Sequence, residues 1–303
     1  MATKGYDGRP AGLAVCRHQH VRADELAQTW STATRFTLTM RLREADTLAA
    51  ADALLTQWRD HLADLQEKEE TREDDTSAVV TWPSRDVTGI RALTKHGLQP
   101  ISVIAVRPAG RPTPKHQSAG RPTPKHQSAG RPTPKHDGPS DLVIRQAISA
   151  DQDSVTELEL GVIHYDAHFG AAFPRPATPK LVHEATRKNL EQRPDWTWLA
   201  VYRGRPVGLA VVEPPEEAAW IAGLTRPGRT AYLASMFLSP EERGTGTGAK
   251  LMTHVHDALD ARGIDMTLLH YAQLNPLSGP FWHRMGYRPL WASWAALPAL
   301  TLR

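Results

Sequence analysis

Three glycines at alternate positions, with an arginine just before them, stand in Ser239-Pro-Glu-Glu-Arg-Gly-Thr-Gly-Thr-Gly-Ala-Lys250. Alternate glycines let a backbone turn tightly and approach a ligand without Cβ clashes. An apolar strand pattern precedes the segment and an amphipathic helix pattern follows it. The amides of the loop therefore face the mouth of a helix N-terminus, where unsatisfied N–H groups and the helix dipole favour an anion. Arg243 adds a fixed positive charge. Arg243, Gly244, Thr245, Gly246, Thr247 and Gly248 thus read as a cradle for phosphate or pyrophosphate. A flexible Gly-Thr loop that binds nothing is the plainer reading, and the strand and helix flanks argue against it.

Two common phosphate motifs do not fit. A P-loop needs glycine before Lys250 and Ser or Thr after it, where Ala249 and Leu251 stand. A dinucleotide fingerprint can be forced as Gly244-x-Gly246-x-x-Ala249, but only 55 residues follow Gly248, too few for the remaining strands of that fold. The stretch Ser239 to Arg243 also separates strand from first glycine, and no acidic residue ends the next strand to hold a ribose.

The spacing Arg243-x-x-Gly246-x-Gly248 resembles the acetyl-CoA signature of the GNAT superfamily of N-acetyltransferases. Asn275 followed by Phe281-Trp-His-Arg-Met-Gly286-Tyr287 is similar to that family's second motif, an asparagine after a strand and then an aromatic-rich helix ending in glycine and an aromatic. The resemblance spans Asp141 to Arg303. It implies that the coenzyme pyrophosphate lies on the amides of Arg243 to Gly248 and that pantetheine pairs like a strand with Met236, Phe237 and Leu238. Asn275 and Trp282 join the coenzyme site. A primary amine then attacks the thioester carbonyl directly, while the protein supplies positioning, an oxyanion donor and proton handling. Acetyl-CoA is the implied co-substrate, and no metal is expected. A non-catalytic acyl-CoA-binding or regulatory module is the alternative.

Proton handling departs from the family pattern. Many members place a tyrosine four residues before the motif glycine as general acid to the leaving thiolate; here Trp282 stands there, and an indole cannot do that work. His283, Tyr271 and Ser278 are candidate substitutes, or water protonates the coenzyme. His270 and Glu213 are candidate bases for the ammonium. The acceptor, a small-molecule or peptide amine, is expected along His164-Tyr-Asp-Ala-His168. Two histidines four apart suggest a metal, but no third ligand of clear spacing accompanies them, so a polar acceptor face is the better reading.

The elements that must position these residues read in order. Leu142 to Gln146 alternates as an opening strand, and helical patterns run from Ser154 to His168 and from Pro179 to Gln192. Trp196 to Tyr202 and Pro206 to Glu213 form a hairpin turned at Arg203-Gly204. Tyr232 to Leu238 is the next strand, and the helix after the loop carries Leu251, Val255 and Leu259 on one face. Strands at Met266 to Tyr271 and Leu290 to Ala295 flank a short helix at Gly279 to Met285. One mixed, mostly antiparallel sheet flanked by helices, in the α/β (α+β) class, is the natural architecture.

Two repeats organise the chain. Tyr6 to Val15 matches Tyr202 to Val211 at eight of ten positions, and Lys95-His-Gly97-Leu-Gln-Pro100 parallels Arg284-Met-Gly286-Tyr-Arg-Pro289. Residues 1–107 thus read as a partial, degenerate copy of residues 141–303, with the parallel breaking off at Met1. Where the glycine loop should be, the first copy has Glu44-Ala-Asp-Thr-Leu-Ala-Ala-Ala-Asp52, whose acids would repel pyrophosphate, so it is not expected to bind coenzyme. An intramolecular pseudo-dimer of the two halves is one role for it. Its unpaired strand edges predict poor stability alone.

Between the halves, within residues 108–140, Ala-Gly-Arg-Pro-Thr-Pro-Lys-His occurs three times. Two prolines per unit and no large apolar side chain predict a stiff, solvated, disordered spacer. The pI near 9.0 belongs to this stretch: without its six Lys and Arg, 30 basic residues face 33 acidic ones. The charge is therefore no nucleic-acid footprint of the folded parts, and a basic docking strip is the less favoured reading. No apolar run reaches the ~18 residues that span a bilayer, and no signal peptide is evident. A single cysteine, Cys16, in a strand-like apolar setting reads as a plain thiol and fits a cytoplasmic protein.

Overall fold

Alternation of side chains builds the sheet. In Thr34-Arg-Phe-Thr-Leu-Thr-Met-Arg-Leu42, Phe36, Leu38 and Met40 are buried while Thr39 and Arg41 are exposed, the period of a strand with one face packed. A computed structural model of the chain describes residues 1–5, 7–68, 73–110 and 141–303. The repeat from Arg111 onward, and with it the expected spacer and docking strip, lies outside those residues, as does Tyr6.

The strands are β1 (Ala2–Lys4), β2 (Pro10–His20), β3 (Thr34–Leu42), β4 (Thr76–Pro83), β5 (Gln99–Pro108), β6 (Leu142–Gln146), β7 (Thr197–Tyr202), β8 (Arg205–Glu213), β9 (Thr230–Leu238), β10 (Met266–Ala272) and β11 (Arg288–Ala296). The α-helices are α1 (Thr47–Lys68), α2 (Val87–Lys95), α3 (Gln152–Ala167), α4 (Thr178–Gln192), α5 (Ala219–Ala222), α6 (Thr247–Ala261) and α7 (Ser278–Arg284). The β7–β8 hairpin turns at Arg203-Gly204, with positive φ at both residues (49° and 76°), the type I′ geometry that suits strand twist.

Among the described residues, the eleven strands form one sheet in the order β1-β2-β3-β4-β11-β5-β10-β9-β8-β7-β6. Two pairs are parallel, β3 with β4 and β9 with β10, and the others are antiparallel. The mixed, mostly antiparallel sheet is the one the patterns imply. Its connectivity adds an exchange they do not reveal. β5 lies between β11 and β10, and β11 lies between β4 and β5, so the last strand of each half sits on the other half. The edges that β4 and β10 would otherwise leave unpaired are thereby covered.

Directly opposed residues share a face, so the pair Ala292–Val103 places two packed layers on the same side. One layer sets Leu54, Leu55 and Trp58 of α1 against Phe36, Leu38, Val80 and Trp294; the other sets Leu251, Val255 and Leu259 of α6 against Val103, Ala105 and Leu269. Cys16, on β2, is a free, half-buried thiol that accepts from Trp58 Nε1 at 3.3 Å, and burial pushes its pKa up.

Contacts between the halves continue on the opposite face. Phe173 N donates to Thr29 O at 2.7 Å, the Thr29 and Thr178 hydroxyls lie 3.2 Å apart, and Arg175 pairs with Asp75 at 2.8 Å. Among the described residues no helix is long and apolar enough to cross a membrane.

Candidate functional site

The glycine loop caps α6. Gly244 and Gly246 take left-handed φ of 81° and 94°, and Gly246 is the cap residue itself. Gly248 is needed for a different reason: a Cβ there would lie 2.8 Å from Leu238 Cδ1 and 3.3 Å from Met236 Cε. The loop is held from below. Thr245 Oγ1 donates to the Glu242 carbonyl at 2.8 Å, and Thr247 Oγ1 donates to Glu242 Oε2 at 3.3 Å, with the two hydroxyls 2.9 Å apart. Arg243 stacks over Tyr165 at 4.3 Å, with Phe237 at 5.4 Å, which fixes its charge at the loop. Left-handed glycines and a helix N-terminus whose cap residue has no side chain are an arrangement that can hold an anion.

The loop opens into a gap in the sheet. β9 and β10 pair only from Thr230–Leu233 against Met266–Leu269. Beyond Leu233 the two strands part, and a bulge at Ala234 accompanies the separation, since Val211 pairs with Ser235 and Val212 with Leu233. Backbone groups of Ala234 to Leu238 on the open side are free of β10. A cavity of 2230 Å³ runs from the loop through this gap to the opposite face of the sheet. That exceeds the ~300–1,000 Å³ of an ordinary small-molecule site. It has room for a long ligand and a second one beside it.

Where the gap reaches the far face, ionisable groups converge. Tyr232 OH and His270 Nδ1 are 3.0 Å apart, and Trp220 Nε1 donates to Glu213 Oε2 at 3.0 Å. Trp220 stacks on the His270 ring at 6.1 Å and meets Tyr232 edge-on. Burial, reinforced by the Arg35 charge, pulls His270 down to about 4, so its imidazole is neutral at physiological pH. Burial pushes Glu213 above its ordinary value, opposed by the Trp220 hydrogen bond. Burial also raises Asp166 to about 6, opposed by a hydrogen bond from Asn275. Asn275 in turn accepts from Leu277 N at 3.0 Å, at the entry to α7. Burial, with the charges of Glu213 and Asp166, pushes the Tyr232 phenol up.

Residues 164–287 match the model of the acetyltransferase (GNAT) family. This segment is a GNAT-family domain. No curated protein matches the chain in sequence. Among solved structures, a GCN5-related N-acetyltransferase from Sphaerobacter thermophilus is similar in fold over 98% of this chain and 79% of its own, at 14% identity and a TM-score of 0.58. A functionally unknown conserved protein from Staphylococcus epidermidis aligns over 93% and 91% at 13% identity, with a TM-score of 0.48. An aminoglycoside N-acetyltransferase in complex with CoA aligns over 49% and 89% at 14% identity, with a TM-score of 0.41.

Within the GNAT domain, most residues singled out from sequence meet at the cavity. Met236, Phe237, Leu238, Arg243, Gly244, Thr245, Gly246, Gly248, Asn275 and Trp282 line it, as do Glu213, His270, Tyr271 and Ser278. Thr247 is buried and supports the loop from behind. Burial raises the Tyr271 phenol, which keeps it a proton donor. His283 is placed otherwise: it is exposed on the outer flank of α7 and is not among the residues lining the cavity. His164 and His168 are exposed too, while Tyr165 and Asp166 between them form the wall. Trp282, 6% exposed, packs edge-on against Phe281 and Tyr287.

Sequence reasoning missed a whole wall. Gln19, Trp30, Ser31, Arg35, Ser77 and Thr81, all from residues 1–107, line the far end of the same cavity. The single local signal is an arginine on β3 at a position whose neighbours Phe36 and Leu38 turn toward the core.

The raised Asp166 has a measurable consequence. The folded state holds its proton more tightly than the unfolded chain, so the contribution is full below pH 3.8 and is lost as pH rises through about 6. Asp166→Asn is therefore expected to raise Tm at pH 7.5 by roughly 2–4 °C, the shift that ~1 kcal/mol produces in a sizeable domain. The gain should shrink toward pH 4.5. Thermal unfolding of both proteins across that range checks it, and a lower Tm at pH 7.5 would mean that Asp166 is held by partners and is not desolvated.

Proposed function

We propose that the chain is an acetyl-CoA-dependent N-acetyltransferase acting in the cytoplasm on a primary amine. The observation that carries this reading is the gap between β9 and β10, which leads from the glycine loop at the N-terminus of α6 straight to the ionisable cluster. The loop amides and Arg243 hold the pyrophosphate, and the free backbone of Met236 to Leu238 pairs with the pantetheine arm. The thioester then lies where the strands part.

The amine nitrogen attacks the thioester carbonyl carbon, a C–N bond forms, and the C–S bond breaks as the tetrahedral intermediate collapses. Asp166 and Glu213 have the charge to bind the incoming ammonium and take its proton, with neutral His270 as a relay through Tyr232. The departing thiolate takes a proton from Tyr271 or from water. Trp282 supplies an apolar wall at the position where a phenol is usual. Residues 1–107 bind no coenzyme in this reading: in Glu44-Ala-Asp-Thr-Leu-Ala-Ala-Ala-Asp52 a single turn leads into α1 with no glycine loop. Instead they complete a pseudo-dimer and the far wall of the cavity.

Calorimetric titration of acetyl-CoA into the full chain, followed by thiol release with an amine panel, tests the reading. Tight binding with turnover is expected. Absence of binding by the intact chain would sink it, and binding with no turnover on any amine would favour the non-catalytic acyl-CoA module, for which Trp282 is the supporting observation.

A further inference from the structure

Arg35 lies on β3 with Gln19 opposite it on β2 and Ser77 opposite it on β4. Its side chain lines the far end of the cavity. The Nε atom is buried without a hydrogen-bond partner, and no carboxylate pairs with the guanidinium among the described residues. Burial pulls its pKa down with nothing to offset it. An arginine stays charged in any protein setting, so desolvating it without a counter-charge is costly. Three other arginines withdrawn from solvent are matched by carboxylates: Arg107 with Asp260 at 3.3 Å, Arg175 with Asp75 at 2.8 Å, and Arg193 with Glu217. A second orphan stands on the same wall. Ser31 Oγ is buried, its residue 9% exposed, and it too has no partner. Buried polar groups are normally satisfied, and two unsatisfied ones lining one cavity end mark a ligand's place.

We infer that Arg35 and Ser31 bind a carboxylate of the acceptor, which makes the substrate an amine that also carries an acid, of amino-acid type. This rests on the acetyltransferase reading of the site. The planar guanidinium fork matches a carboxylate bidentately, and the Ser31 hydroxyl donates to it. The cavity is polarised to match. Asp166 and Glu213 act on Tyr232, Arg35 acts on His270, and Tyr232 and His270 are 3.0 Å apart. Ammonium and carboxylate poles therefore flank one hydrogen-bonded pair. A polycationic acceptor without an acid would leave Arg35 unmatched and bring more positive charge against it.

Paired probes test this on the full chain: a panel of L-amino acids, each with its primary amide, which keeps the amine and removes the acid. Initial rates of thiol release are read with acetyl-CoA, and Tm is read with CoA saturating. At least one acid is expected to exceed its amide about tenfold to a hundredfold in kcat/KM, the range for charge-assisted hydrogen bonds, and to raise Tm where its amide does not. Arg35→Met should remove the preference and Arg35→Lys should keep part of it. Because Arg35 has no partner among the described residues, Arg35→Met should leave acetyl-CoA affinity and ligand-free Tm unchanged or raised. Amides that equal their acids in every pair by both readouts overturn the assignment, and so does a ligand-free Tm that falls in Arg35→Met. If acetyl-CoA itself does not bind, the transferase reading fails, and the acid–amide comparison of Tm on the coenzyme-free chain decides Arg35 separately.

Discussion

Gly246→Glu is expected to remove acetyl-CoA binding from an otherwise folded protein. Gly246 holds a φ of 94° at the cap of α6, and a Cβ built there meets nothing within 4 Å. The new side chain therefore enters open space on a loop that lines the cavity, where the pyrophosphate is proposed to lie. Left-handed backbone in a non-glycine residue costs about 1–2 kcal/mol. Two unit charges about 4 Å apart at an effective dielectric near 20 repel by about 4 kcal/mol. The backbone cost is shared by free and bound protein and lowers stability, while the repulsion weakens binding about a thousandfold, since each ~1.4 kcal/mol is a factor of ten. Gly246→Ala carries the same backbone cost without the charge and should lose stability but little affinity. Calorimetry of wild type and both variants separates the two contributions. A glutamate variant that binds as tightly as the alanine variant would show that no anion sits against this loop.

The glycine loop was legible because its physics is local. Spacing, left-handed φ and a helix start all lie within ten residues, and a single arginine completes them. The same locality explains why His283 misleads: lying next to Trp282, three residues before Gly286, places it near the motif, but a seven-residue helix presents Trp282 inward and His283 outward. Arg35 and Ser31 were beyond reach for the opposite reason. Alternation in β3 shows that Arg35 faces away from Phe36 and Leu38, but not what covers that face. The answer lies some 200 residues later, at Tyr232 and His270.

Strand exchange was hidden in a similar way. Leu290 to Ala295 reads as a strand, and a strand's period of two says which face is buried and nothing about which edge it joins. Trp294 belongs by sequence to the second half, yet it packs in the α1 core of the first half with Trp58 and Val80.

That exchange carries the other large expected effect: residues 141–303 produced alone should not form a stable fold. β11 pairs with β4 and β5, both of which belong to the first half, so every ladder partner of Arg288–Ala296 would be missing. β10 would lose the antiparallel partner that runs from Ser102 to Pro108. Ala292, Trp294, Ala296, Ala299 and Leu302 would lose the core they pack into. A buried tryptophan alone is worth about 3–5 kcal/mol, against a total stability of ~5–15 kcal/mol for a typical domain. Residues 1–108 alone face the mirror-image loss, because both neighbours of β5 come from the second half. By contrast, a protease site placed between residues 111 and 140 should yield, on cutting, two fragments that co-elute and melt together. No strand pairing or packed core among the described residues depends on that connection. Circular dichroism and size-exclusion chromatography of 141–303 alone, of the cut chain and of the intact chain make the comparison. A 141–303 fragment that melts cooperatively near the Tm of the intact chain would show that the second half folds without β5, and that the far wall with Arg35 is an addition to a self-sufficient domain.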